Sequence, residues 1–386
     1  MAKIIIGADL VPTKSNAELF AAGDAETLVG AELRKILAEA DYRIFNLETP
    51  LADAQAPIAK CGPNLIAPTA TASGYKAIGA DILTLANNHI LDHGVQALDS
   101  TRRVLTESGI AFFGVGDSPR EAAEPYIFEF AGKKVGLYAC AEYEFSIVTE
   151  KTAGANPFDP LESPDAVAAL KERCDFVVVL YHGGKEHYRY PSPYLRKVCR
   201  KLVEKGADLV VCQHSHCVGC EEKYRGGTIV YGQGNFLFDL ADNEFWRTGV
   251  LVELDDAWNV SYVPLAKDGA KVRLARGAQA EEILAGFRER SREITVDGAV
   301  EAKYAEFAKS MQVSYLTRFA GEPLVFCSRV LNRLARIPCL GWLKRLPALV
   351  VKMKYGKSIQ LALQNYVECE AHRELFLTGL ADARKK

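Results

Sequence analysis

Five short apolar runs in this chain each lead to a residue able to bind a metal ion or move a proton. Lys3-Ile4-Ile5-Ile6 leads to Asp9, and Tyr42-Arg43-Ile44-Phe45 leads to Glu48. Ile82-Leu83-Thr84-Leu85-Ala86 leads to Asn88 and His89, and Phe176-Val177-Val178-Val179-Leu180 leads to His182. Leu209-Val210-Val211-Cys212 leads to His214 and His216. Such runs read as buried strands. Strands that end together set their carboxyl-end loops on one rim of a sheet, where α/β proteins build their sites. One such loop constrains little; five in order restrict the chain to folds that gather these strand ends.

The segments between the runs fit that restriction. Residues 28–39 carry Leu28, Leu33, Ile36 and Leu37 at helical spacing, and 94–107 and 194–205 read as further helices, the last stopped by Gly206. This alternation, from residue 3 to about 265, predicts an α/β domain. Later runs at 134–140, 228–231, 249–254 and 259–265 predict a second, partly antiparallel sheet. Two sheets packed face to face with helices outside is the expected architecture. Around 267–279 the pattern loosens, so the expected division is a sandwich domain at 1–270 and a helical, basic extension at 271–386.

Bulk properties exclude several classes. With 386 residues, 49% hydrophobic and 25% charged, the chain has the balance of a soluble enzyme. A net charge of −2 gives no electrostatic case for nucleic acid. No uninterrupted apolar run approaches the roughly 20 residues that span a bilayer, and the N-terminus shows no signal-peptide pattern. Ten cysteines without a disulfide rhythm fit reduced thiols, and the single pair Cys217 and Cys220 reads as structural. A cytoplasmic location follows. The stretch 323–367, however, has no Asp or Glu and interleaves Arg and Lys with Leu and Trp342. Two readings stay open for it: contact with an anionic membrane surface, or helices that dock on the sandwich or form a homo-oligomer face. The second is favoured.

Each polar site has its own chemistry. Asp9 is a hard oxygen donor or a turn cap. Glu48 can bridge two metals through its two oxygens or accept from backbone amides, and Asn46 can orient it or touch substrate. Asn87-Asn88-His89 is the sharpest local signal. Asn88 offers a neutral oxygen ligand, the His89 imidazole is a candidate proton donor to a leaving group, and Asp92 can fix its tautomer. His182 precedes two glycines that admit close approach of a ligand, with Glu186 a candidate substrate contact. In His214-Ser215-His216, residues two apart on extended backbone face one way, so both imidazoles can reach one cluster.

The ordered set, with Tyr231-Gly232-Gln233-Gly234-Asn235-Phe236, resembles the CapA or poly-γ-glutamate capsule synthesis family, which is similar to the calcineurin-like metallophosphatases. That resemblance implies a four-layer α/β/β/α sandwich with a dinuclear metal site. Asp9 and His216 would serve one ion, Glu48 would bridge, and Asn88, His182 and His214 would complete the second. His89 would be the proton donor, and Asn46, Glu186 and Asn235 would contact substrate. Two departures from the phosphatase pattern stand out: Val11 replaces a histidine ligand, and Glu48 replaces a bridging Asp.

The resulting expectation is a hydrolase using one or two divalent ions (Mn, Fe or Zn) and a metal-activated water. Its substrate would be an anionic polymer or a phosphorylated compound, cut at a γ-glutamyl amide or a phosphoester. The alternative is a non-catalytic, metal-binding component of a polymer synthesis or export machine.

Overall fold

In Lys3–Val11 (β1), Ile4 and Ile6 point to one face and Ile5 to the other, and all three are buried. A strand covered on both faces needs a continuous apolar run rather than alternation, which is what each of the five runs supplies. The computed structural model describes residues 2–319 and 321–368, with 372, 373, 376 and 380. The side chains of Pro323 and Lys344, from the basic stretch, and the tail 381–386 of the expected extension lie outside the described residues.

Tyr42–Leu47 (β2), Ile82–Thr84 (β3) and Ala111–Phe113 (β4) follow β1 in parallel order β1-β2-β3-β4. A short strand, Val115–Gly116 (β5), then leads into the second sheet. There Tyr126–Phe130 (β6) pairs antiparallel with Lys133–Ala141 (β7), while Gly154–Ala155 (β8) closes a small ribbon with β5. Phe176–His182 (β9) and Leu209–Gln213 (β10) extend this sheet in parallel, and Glu221–Tyr224 (β11) forms a hairpin with Gly227–Tyr231 (β12) at its edge.

The chain then crosses back. Asn235–Phe238 (β13) lies parallel to β1, with Asn235 opposite Asp9. Thr248–Asp255 (β14), Val260–Asp268 (β15) and Lys271–Leu274 (β16) complete the first sheet as an antiparallel edge. This corrects one expectation. The runs at 249–254 and 259–265 belong to the first sheet, not the second, because β13 has already returned the chain beside β1. Their alternation specified antiparallel pairing but not the sheet. The loosened stretch after 267 also contains a strand, β16.

Three apolar layers separate four structural layers. Ile4, Ile6 and Ile44 of the first sheet meet Leu137, Leu180 and Val211 of the second. The opposite face of the first sheet packs on helices Ala25–Ala38 and Val95–Ser108 through Leu28, Leu33, Leu98 and Leu105. The opposite face of the second packs on Ser163–Lys171 and Pro193–Glu204 through Val167, Leu195 and Leu202. The fold is therefore the expected α/β/β/α sandwich, and β1, β2, β3, β9 and β10 all deliver their carboxyl ends to its site.

The chain divides into two compact units, Met1–Glu301 and Ala302–Lys386. The first takes in β16 and the helix Gly277–Glu293, whose Ile283 and Phe287 join the layer between the sheets. The second is helical: Glu322–Leu334, a 3-10 turn at Pro338–Arg345, Leu346–Lys354 and Lys357–Glu368 follow one another. Among the described residues no helix is long and apolar enough to cross a membrane.

Candidate metal centre

Asp9 reaches the rim through an irregularity. Ile6 pairs with Ile44, but the next partner of Asn46 is Asp9, so β1 holds an extra residue at Gly7-Ala8. Such a bulge re-aims the side chains that follow it. Gly7 permits it, because a Cβ there would lie 2.2 Å from the Phe45 ring. Two glutamines then tie the sheets together at this level. Gln213 Nε2 donates to the Gly7 carbonyl at 3.0 Å, and Gln233 Nε2 donates to that of Ile6 at 2.8 Å.

Two groups of donor atoms result. Glu48, His182 and His214 each bring one ligand atom to within 4.8 Å of the others, as do Asp9, Glu48 and His216. Glu48 is common to both. The Nε2 of His182 lies 3.0 Å from Asn88 Oδ1, 3.2 Å from His214 Nδ1 and 3.3 Å from Glu48 Oε1. His216 Nδ1 donates to Asn235 Oδ1 at 2.8 Å and lies 3.5 Å from Asp9 Oδ2. All of these side chains are buried.

His214 and His216 arrive by a different route from the one expected. β10 ends at Gln213, and both histidines adopt left-handed backbone, with φ of 80° and 53°. They are turn residues rather than extended ones, yet the turn carries both rings to the cluster. Left-handed backbone at non-glycine residues costs energy and concentrates at functional sites.

Burial and the neighbouring Asp9 push the Glu48 carboxyl well above the usual range. Burial alone would raise Asp9 too, but the His216 imidazole 3.5 Å from its Oδ2, with the charge of His182, outweighs it and holds Asp9 at about 2. Burial lowers His182 to about 4 and holds His214 well below the usual imidazole range, so both imidazoles are neutral, the form that binds metal. His216 is opposed by burial yet raised to about 9 by Asp9 and Glu48.

Asp9 Oδ2 and both Glu48 oxygens are buried without a hydrogen-bond partner. His182 Nε2 is near enough to Glu48 Oε1 for an ion pair, but the angle does not make a hydrogen bond.

Around the cluster stand the other residues singled out by sequence. His89 Nδ1 donates to Asp92 Oδ2 at 2.6 Å, which leaves Nε2 for proton transfer. Asn46 is fully buried, and its Nδ2 donates to Asp9 Oδ1 at 2.7 Å while its Oδ1 accepts from Asn87. The carboxylate it orients is that of Asp9, where the sequence reading points to Glu48. Asn235 is likewise buried and bonded to His216. Glu186 is exposed; burial opposes its ionisation, but the charges of His214 and His216 lower its pKa. Cys217 and Cys220 are buried free thiols.

Two participants gave no sequence signal. Lys60, from the irregular segment between β2 and β3, buries its amine against Asp92, whose Oδ2 also accepts from the Leu65 amide at 2.6 Å. Glu144, beyond β7, accepts from Asn88 Nδ2 at 2.9 Å and so fixes which end of that amide faces His182. Both lie in loops with no periodicity, where only the folded geometry reveals the partner.

The molecule is thus an α/β/β/α sandwich with a buried carboxylate–imidazole cluster at its shared strand ends. Residues 4–240 match the family described as "Bacterial capsule synthesis protein PGA_cap", and the chain belongs to that family.

"Capsule biosynthesis protein CapA" of Bacillus anthracis is 28% identical over 212 residues, 53% of this chain and 52% of that protein. "PGA biosynthesis protein CapA" of Bacillus subtilis is 31% identical over 171 residues, 42% of this chain and 44% of that one. The chain spans about half the length of these relatives. A phosphatase structure from Mycoplasma pneumoniae superposes with a TM-score of 0.44 at 15% identity, covering 69% of this chain and 94% of that one. A 5'-nucleotidase precursor from Thermus thermophilus gives 0.39 at 16% identity, covering 74% and 58% respectively.

Proposed function

We propose that the rim cluster holds divalent metal ions and that the protein is a metal-dependent hydrolase of capsule or poly-γ-glutamate-type polymer metabolism. The observation that carries this reading is the set of three buried carboxylate oxygens, on Asp9 and Glu48, that have no hydrogen-bond partner. Each such orphan costs roughly 1–3 kcal/mol or more, and a cation shared among them removes that cost. Glu48, His182, His214 and the Asn88 amide oxygen would hold one ion. Asp9, Glu48 and His216, the last after giving up its proton, would hold the other. Mixed carboxylate and imidazole donors suit Mn, Fe or Zn.

When bound, such ions acidify a water and polarise the bond to be broken. The chain's own residues do the rest. Asp92, clamped by Lys60 and the Leu65 amide, holds His89 so that its Nε2 delivers a proton to the leaving group. Asn46 and Asn235 orient Asp9 and His216, and exposed Glu186 contacts the substrate. The names of the relatives favour a γ-glutamyl amide over a phosphoester.

A second reading, a non-catalytic metal-binding component, draws support from Val11. It stands where the phosphatase pattern has a histidine ligand, is buried against Leu65, Phe238 and Trp246, and itself offers no donor atom.

Elemental analysis of the purified chain, followed by equilibrium dialysis with Mn, Fe and Zn, tests the metal claim. The parent binds, and His214→Ala and Glu48→Gln lose most of the metal. A parent that refuses all three ions sinks both readings. His89→Ala then separates them: retained metal with turnover reduced by about 10²–10⁴ supports the hydrolase. Retained metal with no turnover by the parent on γ-glutamyl or phosphoester substrates leaves the component reading.

A further inference from the structure

The helix Glu322–Leu334 carries apolar side chains on its outward side as well as on its inward one. Phe326, Val330 and Leu334 recur at steps of four, one stripe of the helix surface, and Ile337 follows in the extended turn beyond it. All four are exposed, Phe326 at 65%. On the side away from that stripe, Val325, Ser328 and Leu331 are partly buried and Ala335 is buried. Arg329, Arg333 and Arg336 flank the outward stripe, and among the described residues no carboxylate pairs with them. The next elements bury Leu343 and Val351 but leave other apolar side chains exposed. Trp342 is 58% exposed and Met353 78%, beside exposed Lys352 and Lys354.

A cavity of about 310 Å³ lies between this helix and Ala299–Phe319. Arg318 and Arg329 line it with Thr317, Ser328 and Asn332, and no carboxylate does. Guanidinium and hydroxyl donors without an acceptor of opposite charge suit a phosphate oxygen.

From the exposed apolar stripe, its arginine border and the acid-free composition, we infer that the helical unit docks on the surface of an anionic phospholipid bilayer. The apolar side chains enter the acyl boundary while the basic ones meet lipid phosphates, the arrangement of interfacial helices. A second copy of the chain is a poorer occupant, since an isologous contact through this face sets arginine against arginine. The inference stands independently of the rim cluster.

Flotation of the full chain with vesicles tests it. The chain rises with vesicles containing phosphatidylglycerol, stays down with pure phosphatidylcholine, and is released by salt. Replacing Arg329, Arg333 and Arg336 by Gln weakens binding roughly five-fold for each arginine, about a hundred-fold together. The matching triple Lys variant keeps the charge and floats like the parent; its loss alongside the Gln variant would overturn the charge reading. Equal behaviour on both vesicle types overturns the inference. So does a solution dimer, measured by light scattering, that Phe326→Ser dissociates while no flotation occurs. Circular dichroism of each variant separates lost docking from lost folding.

Discussion

The two units of this chain handle solvation in opposite ways. In the sandwich, polar groups are taken out of water: Asp9, Glu48, Asn46 and Asn87 are fully buried at the strand ends. In the helical unit, apolar groups are left in water: Phe326, Trp342 and Met353 are exposed. Each arrangement is unfavourable alone. A buried carboxylate lacks compensation unless a partner arrives, and a contiguous exposed apolar patch marks an interaction surface. On the readings proposed above, a cation would compensate the first and a bilayer surface the second. Neither deficit serves folding, so stability and function should come apart differently in the two units.

The largest expected effect comes from cutting the core that holds the rim together. Leu180 sits in β9, two residues before His182, and is 1% exposed between the sheets. Leu180→Ala removes buried contacts and opens a cavity, a loss of about 2–5 kcal/mol. Urea unfolding measures it directly. A loss under about 0.5 kcal/mol would mean that the sheets are not packed face to face at this level.

How much of this was readable before folding depends on what kind of signal each residue leaves. The five strands were legible because burial on both faces demands continuous apolar runs, as in Val177, Val178 and Val179. The family resemblance rested on residues fixed to the ends of those runs, Asp9, Glu48, Asn88, His182 and His214. The sheet membership of β14 and β15 was not legible, since alternation specifies a pairing mode and not a partner. Lys60 and Glu144 were illegible for a related reason. Their partners, Asp92 and Asn88, lie 32 and 56 positions away, and no local pattern encodes a contact between loops. The turn at His214 and His216 was misread as extended because His-x-His spacing suits either conformation.

Glu144 offers an intermediate test of the polar side of the contrast. It accepts from Asn88 Nδ2 and so directs Asn88 Oδ1 towards His182. Glu144→Ala frees that amide to rotate. On the proposed reading, affinity for the ion at Glu48, His182 and His214 drops about 10–100-fold, the usual cost of removing a ligand's outer partner. The ion at Asp9 and His216 should be unaffected. Metal titration by calorimetry, resolving two sites, distinguishes this from a uniform loss, which would indicate general loosening of the rim.

The smallest expected effect is the most informative about the helical unit. Leu334 is 41% exposed on the outward stripe, and Gln matches Leu closely in helix propensity. If that stripe faces water in the free protein, Leu334→Gln changes unfolding free energy by no more than about 0.5 kcal/mol. The same substitution under a protein interface would remove a buried apolar side chain and cost roughly 1.5–3 kcal/mol. Thermal melting of parent and variant, at two protein concentrations and without lipid, reads the difference. A concentration-dependent loss points to a second copy over the stripe, and a concentration-independent loss to coverage within the chain. Unchanged stability combined with weaker flotation on phosphatidylglycerol vesicles is the outcome that only an absent bilayer explains, because the side chain then contributes nothing until the surface is there.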